Sequence, residues 1–140
     1  MVGTSLQTIN AQGVDMSGVS GDAETTISGD LSHANLSGSD LRGVDLSGAD
    51  LRWADLSNAD LRNANLQGTN LQHANLTGAD LREARLEDTD FTMASLPFGD
   101  VQLLFGATVD SHTLWPDADF VPARQGVIMS MSCPATESTP

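Results

Sequence analysis

Residues 49–61 read Ala49-Asp50-Leu51-Arg52-Trp53-Ala54-Asp55-Leu56-Ser57-Asn58-Ala59-Asp60-Leu61, a stretch in which Leu returns at every fifth place behind a small residue and an aspartate. The phase continues outward without a slip. Its central residues are Leu31, Leu36, Leu41, Leu46, Leu51, Leu56, Leu61, Leu66, Leu71, Leu76, Leu81, Leu86, Phe91 and Leu96. Two places before each stands a small residue, most often Ala, and the place between is Asp or Asn except at Arg85 and Ser95. A period of five matches neither the 3.6 of a helix nor the 2 of a strand, and a helix would spread these leucines over all its faces. The pattern predicts a coil that turns a corner at every repeat, with Leu and the small residue inward and the other three places outward.

The A-(D/N)-L-X-X signature resembles the pentapeptide-repeat family, over 14 repeats without a gap. The resemblance implies an all-β fold, the right-handed, four-sided (quadrilateral) β-helix, in which four repeats close one coil. Residues 20 apart then stack roughly 4.8 Å from one another, the spacing of hydrogen-bonded strands. Burying a Leu is worth roughly 1.5–3 kcal/mol, so the stacked central residues supply a core without large rings. The low aromatic content of 4%, with no Tyr, agrees with a narrow bore lined by Leu and Ala.

The chain of 140 residues divides by phase into four parts. Residues 1–28 are expected to form a cap or degenerate first coil, since Gly21 and Thr26 fall where Leu belongs. Residues 29–98 form the array, residues 99–125 a C-terminal cap, and residues 126–140 a flexible tail. Gly99-Asp100-Val101 keeps phase, and the stretch from Phe105 to Pro116 breaks it. That stretch is similar to the G-A-x-x-D-x-x-T-x-x-P cap of cyanobacterial members of the family, and Phe120-Val121-Pro122 to its F-x-P ending. Phe98, Phe105 and Trp115 are the expected plugs of the bore, and open strand edges need such covering.

Stacking in twenties sorts the surface into columns. One column carries Asp40, Asp60, Asp80 and Asp100 beside Arg42, Arg62 and Arg82, a nearly neutral ion-pair ladder. It reads either as a recognition strip or as a solubilising face with modest exposed pairing. Another column stacks His33, Trp53, His73 and Met93. Trp53, with Arg52 beside it, is of the type that anchors interfaces, although single exposed apolar residues are also ordinary. His33 and His73 are two coils apart, roughly 10 Å, too far to share one metal ion.

No phosphate-cradling glycine motif, Cys/His metal spacing or nucleophile elbow occurs, and the many aspartates lie on a structural lattice where their side chains can bond nearby N–H groups. The expectation is therefore no enzyme, no catalytic residue, no cofactor and no metal. The formal charge is −13 from 19 acids and six arginines, which opposes direct binding to nucleic acid or anionic membranes. Cys133 stands alone, so no intramolecular disulfide forms. No basic-then-apolar leader and no run of ~20 apolar residues is present, giving a cytoplasmic expectation, or a thylakoid-lumen or periplasmic one if an upstream signal has been removed.

Two binding roles follow from the resemblance. One is a regulatory, non-catalytic scaffold for a protein partner, as monomer or end-to-end homodimer. The other is DNA mimicry against a type II topoisomerase, as in the family's quinolone-resistance members. Residues 29–98 hold 11 acids and five arginines, net −6, and the flanks hold net −7, so more than half of the excess lies off the rod. A DNA mimic needs rows of unpaired negative charge, and the array has no interrupting loop; the scaffold is preferred.

Overall fold

The computed structural model describes residues 5–10, 12–96, 104–116 and 128–129. From Asp30↔Asp50 to Asn75↔Ser95 parallel bridges join residues 20 apart at successive corners of the coil, as in Asp30↔Asp50↔Asn70↔Asp90 and Asp40↔Asp60↔Asp80. The chain winds as a right-handed quadrilateral β-helix. All fourteen central residues from Leu31 to Leu96 are at most 3% exposed, and Phe91 is the largest of them. Between coils the ladder is regular: the Leu51 N–H donates to the Asn70 carbonyl at 2.8 Å and the Asn70 N–H to the Ala49 carbonyl at 3.0 Å.

Each corner is a four-residue turn closed from the small residue back to the preceding central one, as from the Ala54 N–H to the Leu51 carbonyl at 3.1 Å. The residue two places after the centre lies in the left-handed region at every corner from His33 to Met93, with φ between 57° and 75°. A closing bond with positive φ at the third place is the signature of a type II turn, and it favours Gly or Asn there. Gly38, Gly48, Asn58, Asn63 and Gly68 meet that demand. The Asp or Asn before each centre accepts the N–H two places on, as Asp55 Oδ1 does from Ser57 at 2.9 Å, and thereby fixes the entry to the turn. On one side buried threonines replace Ala and bind back into the bore wall: Thr69 Oγ1 donates to the Leu46 carbonyl at 2.9 Å and Thr89 Oγ1 to that of Leu66 at 2.7 Å.

The ends depart from the period in definite ways. β1 (Ser5–Asn10) pairs in parallel with β2 (Thr26–Asp30). Gly21 does occupy a central place, and the space is taken by Val44, whose Cγ2 would stand 2.6 Å from any Cβ at Gly21. The next centre is Ile27, 1% exposed, and not Thr26. The reason is a corner one residue wider, since Ser20 pairs with Asp40 but Thr26 with Asp45. Asp22 and Thr25 hold that wide corner through Thr25 Oγ1 to Asp22 Oδ1 at 2.9 Å and the Asp22 N–H to Thr25 Oγ1 at 3.2 Å.

At the other end Arg85 pairs with Thr108 and Asp90 with Leu114, so three and then four residues are added to the period of 20. This corrects the plug assignment. Leu104, 0% exposed, fills the central slot, and Phe105 falls one place later and points outward, 62% exposed. Trp115 is partly buried against the core and stacks on Phe91 with centroids 5.5 Å apart and planes 3° apart. β3 (Thr108–Val109) pairs in parallel with β4 (Ile128–Met129), so these two residues of the 126–140 segment pack on the cap. Phe98, Asp100, Val101, the Phe120-Val121-Pro122 ending and Cys133 lie outside the described residues. Among the described residues no helix is long and apolar enough to cross a membrane.

Candidate interaction surface

The candidate residues fall on two opposite sides of the square. On one side His33, Trp53, His73 and Met93 occupy the same left-handed corner in successive coils, with φ of 61°, 62°, 60° and 61°. Backbone bonds hold the corners in line, from the Trp53 N–H to the Gln72 carbonyl at 3.0 Å and from the His73 N–H to the Thr92 carbonyl at 3.1 Å. The rings stack. Trp53 and His73 have centroids 4.0 Å apart and planes within 4°, and His33 and Trp53 stand 6.2 Å apart with the same tilt. Trp53 is 55% and Met93 63% exposed, so this column is an apolar ridge that the core does not absorb.

Beside the ridge runs a polar rail. Arg52 binds Asp50 bidentately, with Nη2 to Oδ2 at 2.6 Å and Nε to Oδ1 at 2.8 Å. Ser32 Oγ donates to Asp30 at 2.6 Å and Gln72 Nε2 to Asp90 at 2.7 Å. The Arg52 hydrogen bonds outweigh burial and hold the Asp50 carboxyl below the ordinary carboxylate range. At Asp30 the Ser32 hydroxyl and N–H act in the same direction. At Asp90 burial opposes ionisation, but bonds from Thr92 and Gln72 prevail and lower it. Three carboxylates against one guanidinium leave this side negative.

The opposite side carries the Asp/Arg ladder. Arg42 binds Asp40 at 2.7 Å and reaches Asp60 at 3.8 Å, and Arg62 binds Asp60 at 2.6 Å and reaches Asp80 at 3.7 Å. Arg82 closes on Asp80 at 2.5 Å. Hydrogen bonding to Asp60, with the neighbouring aspartates adding Coulombic attraction, raises the Arg62 pKa above its ordinary value. Phe105 follows Arg82 in this column, and an open depression of about 360 Å³ lies among Arg62, Asn63, Arg82, Glu83 and Phe105. Its guanidiniums already face Asp60 and Asp80, so the ladder is internally satisfied. Solvent-screened pairs of this kind add little to stability.

Arg52, Trp53 and His73 are thus brought together, while Arg42, Arg62 and Arg82 form a separate face. The left-handed corner under the ring column was not anticipated. Its signal was present in the preference of the other repeats for Gly or Asn at that place.

Comparison with known proteins agrees with this architecture. The family model described as pentapeptide repeats matches in eight copies over residues 30–63 and 59–96. A pentapeptide-repeat protein (Rfr23) from the cyanobacterium Cyanothece 51142 is 31% identical, with 81% of this chain and 89% of that one covered and a TM-score of 0.43. HetL, involved in heterocyst differentiation regulation in the cyanobacterium Nostoc sp. strain PCC 7120, is 26% identical. There the match covers 78% of this chain and 60% of HetL, with a TM-score of 0.48. Trypsin-treated QnrB1, a plasmid-mediated fluoroquinolone resistance protein, is 18% identical over 91% of this chain and 87% of its own. Its TM-score of 0.51 bears on the fold alone. No curated protein matches. With its uninterrupted five-residue lattice, its coil of twenty residues and these matches, the chain belongs to the pentapeptide-repeat family.

Proposed function

We propose that this protein is a regulatory, non-catalytic scaffold that engages a protein partner through the His33–Trp53–His73–Met93 ridge. The observation that carries the reading is Trp53 in a left-handed corner at φ 62° while 55% exposed. A bulky residue there costs on the order of 1–3 kcal/mol, and burial does not offset it at this position. Its return comes from the stack on His73, an exposed ring pair outside the core, and a ring placed so is expected where a side chain is kept for contact. Asp30, Asp50 and Asp90 around a single Arg52 favour a partner segment with an apolar knob flanked by basic groups, steered by charge and anchored on the indole.

The test is capture from a host lysate by wild type, by Trp53→Asn, which suits the corner, and by Gln67→Asp, which lies on a different side. Loss of a specific captured protein with Trp53→Asn alone is the expected result; equal capture by all three removes the ridge as the contact. A supercoiling assay with DNA gyrase checks the competing role. The bidentate Asp/Arg ladder cancels the charge that a DNA site would seek, so no inhibition is expected at micromolar protein. Potent inhibition that survives moderate salt would favour DNA mimicry.

A further inference from the structure

We propose that the C-terminal cap carries a divalent transition-metal site formed by Asp88, Asp110 and His112. His112 Nδ1 stands 3.0 Å from Asp88 Oδ1 and 3.3 Å from Asp110 Oδ2, and the three donor atoms lie within 4.8 Å of one another. Metal–ligand bonds of 2.0–2.1 Å in a tetrahedron set donor atoms about 3.3–3.4 Å apart. Two edges of the triangle thus already match that spacing, and the third, no longer than 4.8 Å, closes on an ion by movement of the exposed Asp88 side chain.

The chain holds these donors in place by means unrelated to their mutual contact. Asp110 Oδ1 accepts from the Asp88 N–H at 3.1 Å, the His112 N–H at 3.0 Å, the Thr113 N–H at 3.0 Å and Thr113 Oγ1 at 3.1 Å. Its other oxygen is left to face His112. Asp88 is fixed in a left-handed corner at φ 57°. A single ring proton on Nδ1 can serve only one of two carboxylates, whereas a dication engages both carboxylates and the nitrogen lone pair. His112 and Asp88 are 72% and 63% exposed, which leaves room for water to complete the coordination.

Two oxygens and one imidazole suit Zn²⁺ or Co²⁺ better than Mg²⁺ or Ca²⁺, which prefer oxygen alone. Asp88 belongs to the last regular coil, and Asp110 and His112 to the cap. The ion therefore acts as a clip between them and makes cap stability metal-dependent.

The test is calorimetric titration of the full chain with ZnCl₂ at about 0.15 M salt and excess MgCl₂, which suppresses diffuse uptake by an acidic surface. One saturable site is expected, together with a higher unfolding temperature on Zn²⁺ addition. His112→Ala and Asp88→Asn should each weaken binding at least about tenfold. Both side chains are exposed, and circular dichroism verifies that the variants remain folded. The double variant His33→Ala/His73→Ala should bind as wild type. No saturable Zn²⁺ binding, or undiminished binding in His112→Ala and Asp88→Asn, overturns the site; loss only in the His33/His73 variant moves it to the ring column and overturns it equally.

Discussion

Replacing Gly68 by Ala isolates the left-handed corner from every other contribution. Gly68 has φ +65°, and a Cβ built there meets nothing within 4 Å, so no clash enters. An L side chain in this region costs roughly 1–2 kcal/mol. The lower entropy of the unfolded chain returns about 0.4–1 kcal/mol. Gly68→Ala should therefore destabilise by about 0.5–1 kcal/mol in urea unfolding, seen as a lower midpoint at unchanged slope. The reverse exchange is Met93→Asn, at φ 61° and 63% exposed, which should stabilise by up to about 1 kcal/mol because Asn tolerates the corner. Trp53→Asn gains the same relief but loses the His73 stack, worth about 0.5–1.5 kcal/mol, and should be nearly neutral. A Gly68→Ala variant more stable than wild type, with Met93→Asn destabilised, would refute the turn geometry and the strain argument built on it.

Leu61→Asp should abolish the cooperative β-type signal in circular dichroism, because position 61 is 0% exposed and a lone carboxylate in the bore has no partner. Gln67→Asp should cost no more than about 1 kcal/mol, losing the amide bond to Glu87. Deleting residues 51–70 rejoins equivalent corners, since Asp50 pairs with Asn70, and should leave a folded, somewhat less stable array. Deleting 51–60 carries every later residue to the opposite side and should melt well below it; equal melting temperatures would count against the four-sided register. Acid should unfold the chain progressively. Asp60 is held below its ordinary value by Arg62, and Asp55 by the Ser57 N–H and hydroxyl. A depressed folded value contributes stability above the unfolded value near 3.9 and loses it as pH falls through the folded one, so urea midpoints should hold to about pH 5 and then drop.

The array was legible because one rule, a buried residue at every fifth place, governs Leu31 to Leu96 without exception. The ends were harder because their corners change length. Ring bulk past the leucine stack suggests Phe105 as a plug, but the added residues put Leu104 in the central slot and Phe105 outside it. A local signal for the wide corners does exist. Asp22-Ala23-Glu24-Thr25 and Asp110-Ser111-His112-Thr113 share D-x-x-T, and in both the Thr hydroxyl and the Asp exchange bonds across a six-residue corner. The Asp88–Asp110–His112 cluster could not be read from spacing, because 22 and 24 residues are neither one coil nor a known ligand interval until the added residues are counted.

The two candidate faces differ in what their side chains cost the lattice, and that difference ranks them. Stability in a stacked array is close to a sum over like repeats and their neighbours, so a side chain at an unrestricted outward place can vary freely. Arg42, Arg62 and Arg82 occupy such a place, one after the centre, and each closes on the aspartate of its own repeat. Nothing in that arrangement requires a partner. His33, Trp53, His73 and Met93 occupy the one outward place that the turn restricts, and in the same column of four successive coils. On the sides between, Gly38, Asn58 and Gly78 or Gly48 and Gly68 keep to the rule and Asp88 alone departs from it, as Glu83 alone does on the ladder side. Repeated departure from a backbone preference along one edge, at positions too exposed to gain by burial, is not what stability alone would assemble. The ridge is therefore the side on which binding should be sought first, and the ladder the side on which substitutions should be silent.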